Sequence, residues 1–510
     1  MRAGVALLLL TVGCGPAATS SDFSATDTSG FCTTETAEGE ACKREARVAE
    51  HFAGLDADAM KEFVAAMPKG GDLHSHLAGA VQTEELIDWA IEDSLCATEP
   101  DLKLVRCSSG GVPVGDIDRG KILAAWSMEG FDGTVKEGHD HFFATFGRFG
   151  LVTRNHTADM LAAVRAHAAR QNEQYLELML AFGTSRAGAR ATALMDENAS
   201  WDAATLKSAR EALIADADFK DNLADSAAEI AQITKASEAA LGCGTEQADP
   251  GCDVEVRYLV QVWRASARES VFGQALYAFE LAEREPRVVG LNLAAAEDNV
   301  QALATYEEAM AALGMLRGEY PARTHVALHA GELVPELLTE ADRHHLTFHI
   351  REAVLTGAAE RIGHGIDILG EDDSEELRAA MRERNVAVEI CLSSNLFILG
   401  VSGSEHPMSA YLTSEVPVVI ATDDEGVSRS GLGDEIVTAI ADQKLGYRDV
   451  KAIVRRSLMA SFAEGDGLLE GDPKLPSLTC DGSCDLDGDR ARLQLRLEQA
   501  FARFEAEIAP

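Results

Sequence analysis

The sequence predicts an α/β fold, a (β/α)8 barrel. Two observations carry that expectation: from His51 onward eight short apolar, β-branched runs alternate with helical patterns, and histidines and acids collect where those runs end. The runs fall at 71–77, 175–181, 255–262, 288–294, 325–329, 361–366, 386–392 and 416–422. An open doubly wound sheet is the alternative, but no G-x-G-x-x-G follows the first run to support it. At 510 residues, 46% hydrophobic and 25% charged, the chain has the composition of a folded protein large enough for one barrel with long loops.

From the N-terminus, Met1 and Arg2 precede an apolar run over 5–12 and then Gly13-Cys14-Gly15, which reads as an export signal over 1–14. It resembles a bacterial lipoprotein signal, with Cys14 as the lipidated residue, although Thr11 stands where an aliphatic residue is usual. An ordinary cleaved signal peptide is the other reading. Either way the protein is expected to be exported, and a lipid on Cys14 is its expected membrane contact. Residues 15–45, rich in Ser, Thr, Ala and Gly, read as a flexible tether. The barrel is expected over 46–470, with insertions at 96–138 and 183–252, and 471–510 form a C-terminal extension that ends in an amphipathic helix.

Eight of the ten cysteines fall into local pairs, Cys32 with Cys42, Cys96 with Cys107, Cys243 with Cys252 and Cys480 with Cys484, as suits an oxidising compartment. Cys391 is left within an apolar run and reads as a buried thiol. Eighty-four acidic against 45 basic side chains give a net charge of −39, which repels phosphate backbones. Nucleic acid is therefore not an expected partner, whereas a neutral or cationic small molecule is. The sequence leaves the oligomeric state open, a dimer included.

The chemistry gathers at the run ends. His74-Ser75-His76 puts two imidazoles on one side of the first strand. His329-Ala330-Gly331-Glu332 closes the fifth run, His364 lies in the sixth within Arg361-Ile362-Gly363-His364-Gly365, and Thr422-Asp423-Asp424 closes the eighth. A barrel keeps its active site at those strand tips.

Together with Met67-Pro68-Lys69-Gly70 and Glu389-Ile390-Cys391-Leu392-Ser393-Ser394-Asn395 followed by His406-Pro407, these motifs resemble the adenosine deaminase family, and in particular its secreted, growth-factor-like branch. The resemblance implies one Zn2+ per chain held by His74, His76, His329 and Asp423, with His364 orienting and deprotonating the attacking water. Glu332 would protonate purine N1 and Asp424 would bind N7. The implied reaction is deamination of adenosine to inosine and ammonia, and of 2′-deoxyadenosine to the corresponding 6-oxo deoxynucleoside.

Two departures bear on the substrate. Ala78 stands where the family has an Asp that helps hold the ribose 5′-hydroxyl, and Ala295, expected beside the base, replaces a glycine whose backbone reaches N3. A differently substituted 6-aminopurine is thus an alternative substrate, and a mononuclear amidohydrolase cleaving an amide or ester is an alternative enzyme. A non-catalytic exported binding protein on the same barrel is the alternative of another class. The 288–294 run lacks the lysine that bridges two metals in related hydrolases, so a single ion is expected. The H-x-E and P-C-x-x-C pattern of cytidine-type deaminases is absent from the sequence.

Overall fold

The computed structural model describes residues 30–320, 323–479 and 488–509. The export signal, Cys14, and the Cys480 and Cys484 pair lie outside them. Eight strands pair in parallel: β1 (Gly70–His76), β2 (Glu173–Leu180), β3 (Glu255–Trp263), β4 (Val288–Ala294), β5 (His325–Ala330), β6 (Arg361–His364), β7 (Ala387–Ile390) and β8 (Val418–Ile420). Order in the sheet follows order in the chain, with helices between consecutive strands. The sheet returns on itself where Ser75 bridges Asp423. There His76 N–H donates to the Asp423 carbonyl at 2.8 Å and Asp423 N–H donates to the His74 carbonyl at 2.9 Å, so the fold is a (β/α)8 barrel.

Parallel strands covered on both faces need continuous apolar sequence, and β4 is buried at every position. Outside the sheet, the large core packs strand residues such as Val260 and Leu328 against helix residues such as Phe279 and Leu313. Inside it, Met179, Leu259, Val289, Ala327 and Phe462 form a separate plug. Burying each such side chain stabilises the fold by about 1.5–3 kcal/mol.

The insertions are ordered structures. Leu95–Thr98, Lys103–Arg106 and Val112–Pro113 make a small antiparallel sheet, tied by the Cys96–Cys107 disulfide. The second insertion is three helices, Thr184–Leu194, Ala203–Ala215 and Ala217–Ala240. The last two start on Asp202 and Asp216, whose carboxylates accept from backbone N–H groups. Cys243–Cys252 staples the return to β3, and Cys32–Cys42 staples the N-terminal segment.

Two terminal stretches belong to the folded body. Helix Glu40–Ala53 begins inside the segment read from composition as a tether, because Val48 and Phe52 pack into the core and Glu45 pairs with buried Lys451 at 2.9 Å. At the other end, Lys451 also pairs with Glu505 of helix Asp489–Ile508, and Arg455 pairs with Glu498 of that helix at 2.7 Å. Among the described residues, no helix is long and apolar enough to cross a membrane.

Candidate metal centre and catalytic pocket

Alternation along β1 turns His74 and His76 to the barrel interior, where they meet His329 from β5 and Asp423 just beyond β8. Nε2 of His329 lies 3.2 Å from Nε2 of His74 and 3.3 Å from Nε2 of His76. Oδ1 of Asp423 lies 3.4 Å and 3.3 Å from the same two nitrogens. A tetrahedral metal with ligands at about 2.0–2.1 Å spaces them by about 3.3 Å, so these separations are the edges of such a site. Oδ1 of Asp423 is buried and accepts no hydrogen bond, as an oxygen reserved for a cation does. The donor set therefore fits a metal ion.

Each imidazole is locked from behind. Nδ1 of His74 meets Glu389 Oε2 at 2.6 Å, Nδ1 of His329 meets Asn292 Oδ1 at 2.8 Å, and Nδ1 of His76 meets Gln261 Oε1 at 3.4 Å. Acceptors at all three Nδ1 atoms keep the proton there and turn the Nε2 lone pairs toward the centre. Ser394 Oγ donates to the other oxygen of Asp423 at 2.6 Å. Deeper still, buried Arg361 pairs with Glu389 and Glu177, both at 2.5 Å, and stacks over Phe462. Burial alone would raise the Glu389 carboxyl, but Arg361 and His74 together hold it below the ordinary carboxylate range.

The remaining candidates surround this centre. His364, at the tip of β6, points Nε2 toward Glu332 Oε1 at 3.5 Å and has no hydrogen-bond partner on that atom. Burial pulls its imidazole down to about 3. Glu332 follows β5 and is pushed well above the usual carboxyl range by burial, then by the neighbouring Asp423. Asp424 is raised for the same two reasons, and its Oδ1 is also buried without a partner. Both carboxyls are thus shifted toward their protonated forms. Asp423 is the opposite case, since the imidazoles of His74 and His76 beside it outweigh burial and hold it well below the usual value.

Close approaches explain two glycines. A β-carbon on Gly363 would stand 2.5 Å from His74 Cε1, and one on Gly79 would overlap the Asp424 carboxylate. Ala295 carries no such relief: its φ is +94°, in the region glycine favours, and Arg264 Nε pins its carbonyl at 2.8 Å. Arg264 and Glu297, which lie 3.5 Å apart, brace the loop below Glu332, whose N–H donates to Glu297 Oε2 at 2.8 Å.

The centre opens into a cavity of about 590 Å³. Ala78, Ala295, Phe142, Phe146, Met160 and Trp263 contribute to its apolar walls, and His76, Glu332, Asp423 and Asp424 line it as well. Among the described residues, no lysine or arginine lines it.

Residues 221–470 match the adenosine deaminase family. Over that stretch the chain is similar to adenosine deaminases. The matched stretch takes in His329, Glu332, His364, Asp423 and Asp424 and begins after His74 and His76. Adenosine deaminase from Shewanella woodyi is 35% identical over 119 residues, 23% of this chain and 35% of the relative. The Mycobacterium ulcerans adenosine deaminase is 26% identical over 238 residues, 44% of this chain and 58% of the relative. The chain thus spans less than two thirds of the length of these curated relatives. Among solved structures, an Arabidopsis thaliana N6-methyl-AMP deaminase is similar over 86% of this chain and 98% of its own, with 19% identity and a TM-score of 0.50. An Arabidopsis relative complexed with GMP covers the same shares with a TM-score of 0.51 and 19% identity. At that identity the two establish the shared fold.

Sequence reasoning alone did not assign Asn292, Gln261, Ser394 or Arg264. The available signal was a lone polar residue inside an apolar strand, as at Asn292 in β4 and Gln261 in β3.

Proposed function

We propose that the protein hydrolytically deaminates an uncharged 6-aminopurine nucleoside, adenosine first and 2′-deoxyadenosine with it, to the 6-oxo nucleoside and ammonia. The observation that carries this reading is the convergence of three Nε2 atoms and the unpartnered Asp423 oxygen beside a buried Glu332 whose carboxyl burial pushes upward. His74, His76, His329 and Asp423 hold one zinc ion. When bound, the ion supplies a water acidified toward neutral pH and a positive charge beside the reacting carbon.

The chain's own groups do the rest. Glu332, kept neutral, gives its proton to purine N1 as C6 becomes tetrahedral. Asp424, also neutral, donates to N7. The apolar walls exclude bulk water and so strengthen these contacts.

The cavity favours a nucleoside over a nucleotide. The N6-methyl-AMP deaminase and the GMP-bound relative act on or hold nucleotides, whereas this cavity offers carboxyl groups and no cationic wall, within a chain of net charge −39. The three disulfides among the described residues support the reading that the protein is exported.

Zinc-loaded protein incubated with adenosine, 2′-deoxyadenosine, adenine and AMP tests this. We expect turnover of the two nucleosides. Inertness toward all four, with the metal measured in place, retires the reaction, and a preference for AMP retires the substrate class.

A further inference from the structure

The two side chains proposed to hold the base also fix where the rest of the substrate goes. With Glu332 at N1 and Asp424 at N7, C6 faces the metal centre and N9 lies at the far edge of the purine, on the N7 side. The sugar therefore leaves past Asp424 and away from Glu332. Asp424 lies against the short helix Leu77–Ala80, where a β-carbon on Gly79 would overlap its carboxylate. That helix packs in turn against helices Val135–Thr153 and Thr157–Arg170.

Into the cavity these three helices turn Ala78, Phe142, Phe146 and Met160, with Thr153 and Thr157 as the hydroxyls of that wall. Thr153 already gives its proton to the Gly150 carbonyl at 3.3 Å. Among the described residues, the three helices bring no carboxyl, amide or cation to the wall. The amides of the cavity, Gln261 and Asn299, come instead from β3 and from the loop after β4, toward Glu332, and Gln261 is taken up by His76.

A hydroxyl pressed against such a wall sheds its water and gains no partner. A thioether or alkyl group gains apolar contact there, and sulfur lies well at aromatic edges. The exocyclic 5′ carbon reaches farthest from N9 and is the part of the sugar that meets the wall.

We infer that the preferred substrate is a 6-aminopurine nucleoside whose 5′ carbon carries an apolar group in place of the hydroxyl, in chemical class a 5′-alkylthio-5′-deoxyadenosine. Ala78, Phe142, Phe146 and Met160 set that preference. The placing of the base rests on the reaction proposed above; the 5′ group takes no part in the bonds made and broken. Adenosine is turned over as well, less efficiently.

Zinc-loaded protein assayed with adenosine, 2′-deoxyadenosine, 5′-deoxyadenosine and 5′-methylthio-5′-deoxyadenosine tests this. We expect kcat/KM about tenfold higher for the methylthio compound than for adenosine, the change falling in KM, with 5′-deoxyadenosine between them. Ala78→Asn sets a hydrogen-bonding group on the wall and should shift the ratio of the two kcat/KM values about fivefold toward adenosine. An equal loss for both compounds in that variant overturns the assignment. Binding is read separately in zinc-loaded Glu332→Gln by the quenching of tryptophan fluorescence, Trp263 being part of the cavity wall, and Kd is expected to follow the same order. Adenosine bound as tightly as the methylthio compound overturns the inference. So does an equal gain from 2′-deoxyadenosine, which would set the apolar wall against the other edge of the sugar. Tighter binding of the methylthio compound with deamination of none of the four counts against the proposed reaction alone.

Discussion

Ala295 holds a backbone shape suited to glycine while carrying a methyl group into the pocket wall. His364 at φ +65° and Asp423 at φ +61° share that left-handed region. Strain of this kind gathers where function over-determines the backbone, and at the latter two it aims Nε2 and Oδ1 at the centre. At Ala295 the strain can be removed without losing a functional group. Ala295→Gly is expected to raise the free energy of unfolding by about 1 kcal/mol, measured by urea titration of the zinc-loaded protein; a loss of stability would show that the methyl's packing outweighs the strain. Glu332→Gln keeps the shape and removes the transferable proton. We expect at least a ~10²-fold fall in kcat with full zinc content by metal analysis. A third residue reports on pH. Burial lifts Glu435 from 4.5 to about 7, so between those values the folded chain binds more protons than the unfolded one. Its stabilising contribution is complete below pH 4.5 and is lost as pH rises through 7. Glu435→Gln cannot lose it, so the melting temperature of that variant relative to the parent should climb from pH 5 to pH 8.

At the scale of elements, all eight barrel strands were legible because two-sided burial demands apolar, branched sequence. The 288–294 run matches β4 at both ends, and the others differ by a few residues where apolar character continues into loops. The strand pairs around Leu95–Pro113 and Leu469–Leu478 were not legible. Each strand there has four residues or fewer, and cross-strand partners with a disulfide, not a periodic pattern, hold the first set together. The site shows the same divide. The inward-facing histidines and acids stand out at strand tips, while Asn292 and Gln261 acquire meaning only through the imidazoles they hold from other strands. The C-terminal helix illustrates a third limit. Composition marks Asp489–Ile508 as amphipathic, yet not that its Glu498 neutralises an arginine wholly buried under the barrel. Glu498→Ala leaves Arg455 without its carboxylate and should cost about 3–5 kcal/mol in urea unfolding, with kcat close to that of the parent.

Over the whole molecule, the net charge of −39 sets a field that every ligand crosses. For AMP, kcat/KM should rise as ionic strength increases from about 0.01 M to 0.15 M, because screening weakens repulsion. The value for adenosine should stay level. A field too weak to matter would leave both profiles flat.

The barrel's seam adds a consequence of its own. β1 and β8 touch through one bridge, and His74 and His76 stand on one side of that join with Asp423 on the other. An ion held by His74, His76 and Asp423 would act as a clasp on the cylinder, fastening the start of the barrel to its end. Chelation should therefore do more than silence the enzyme: amide exchange ought to quicken along both banks of the join first, with the far wall keeping its protection.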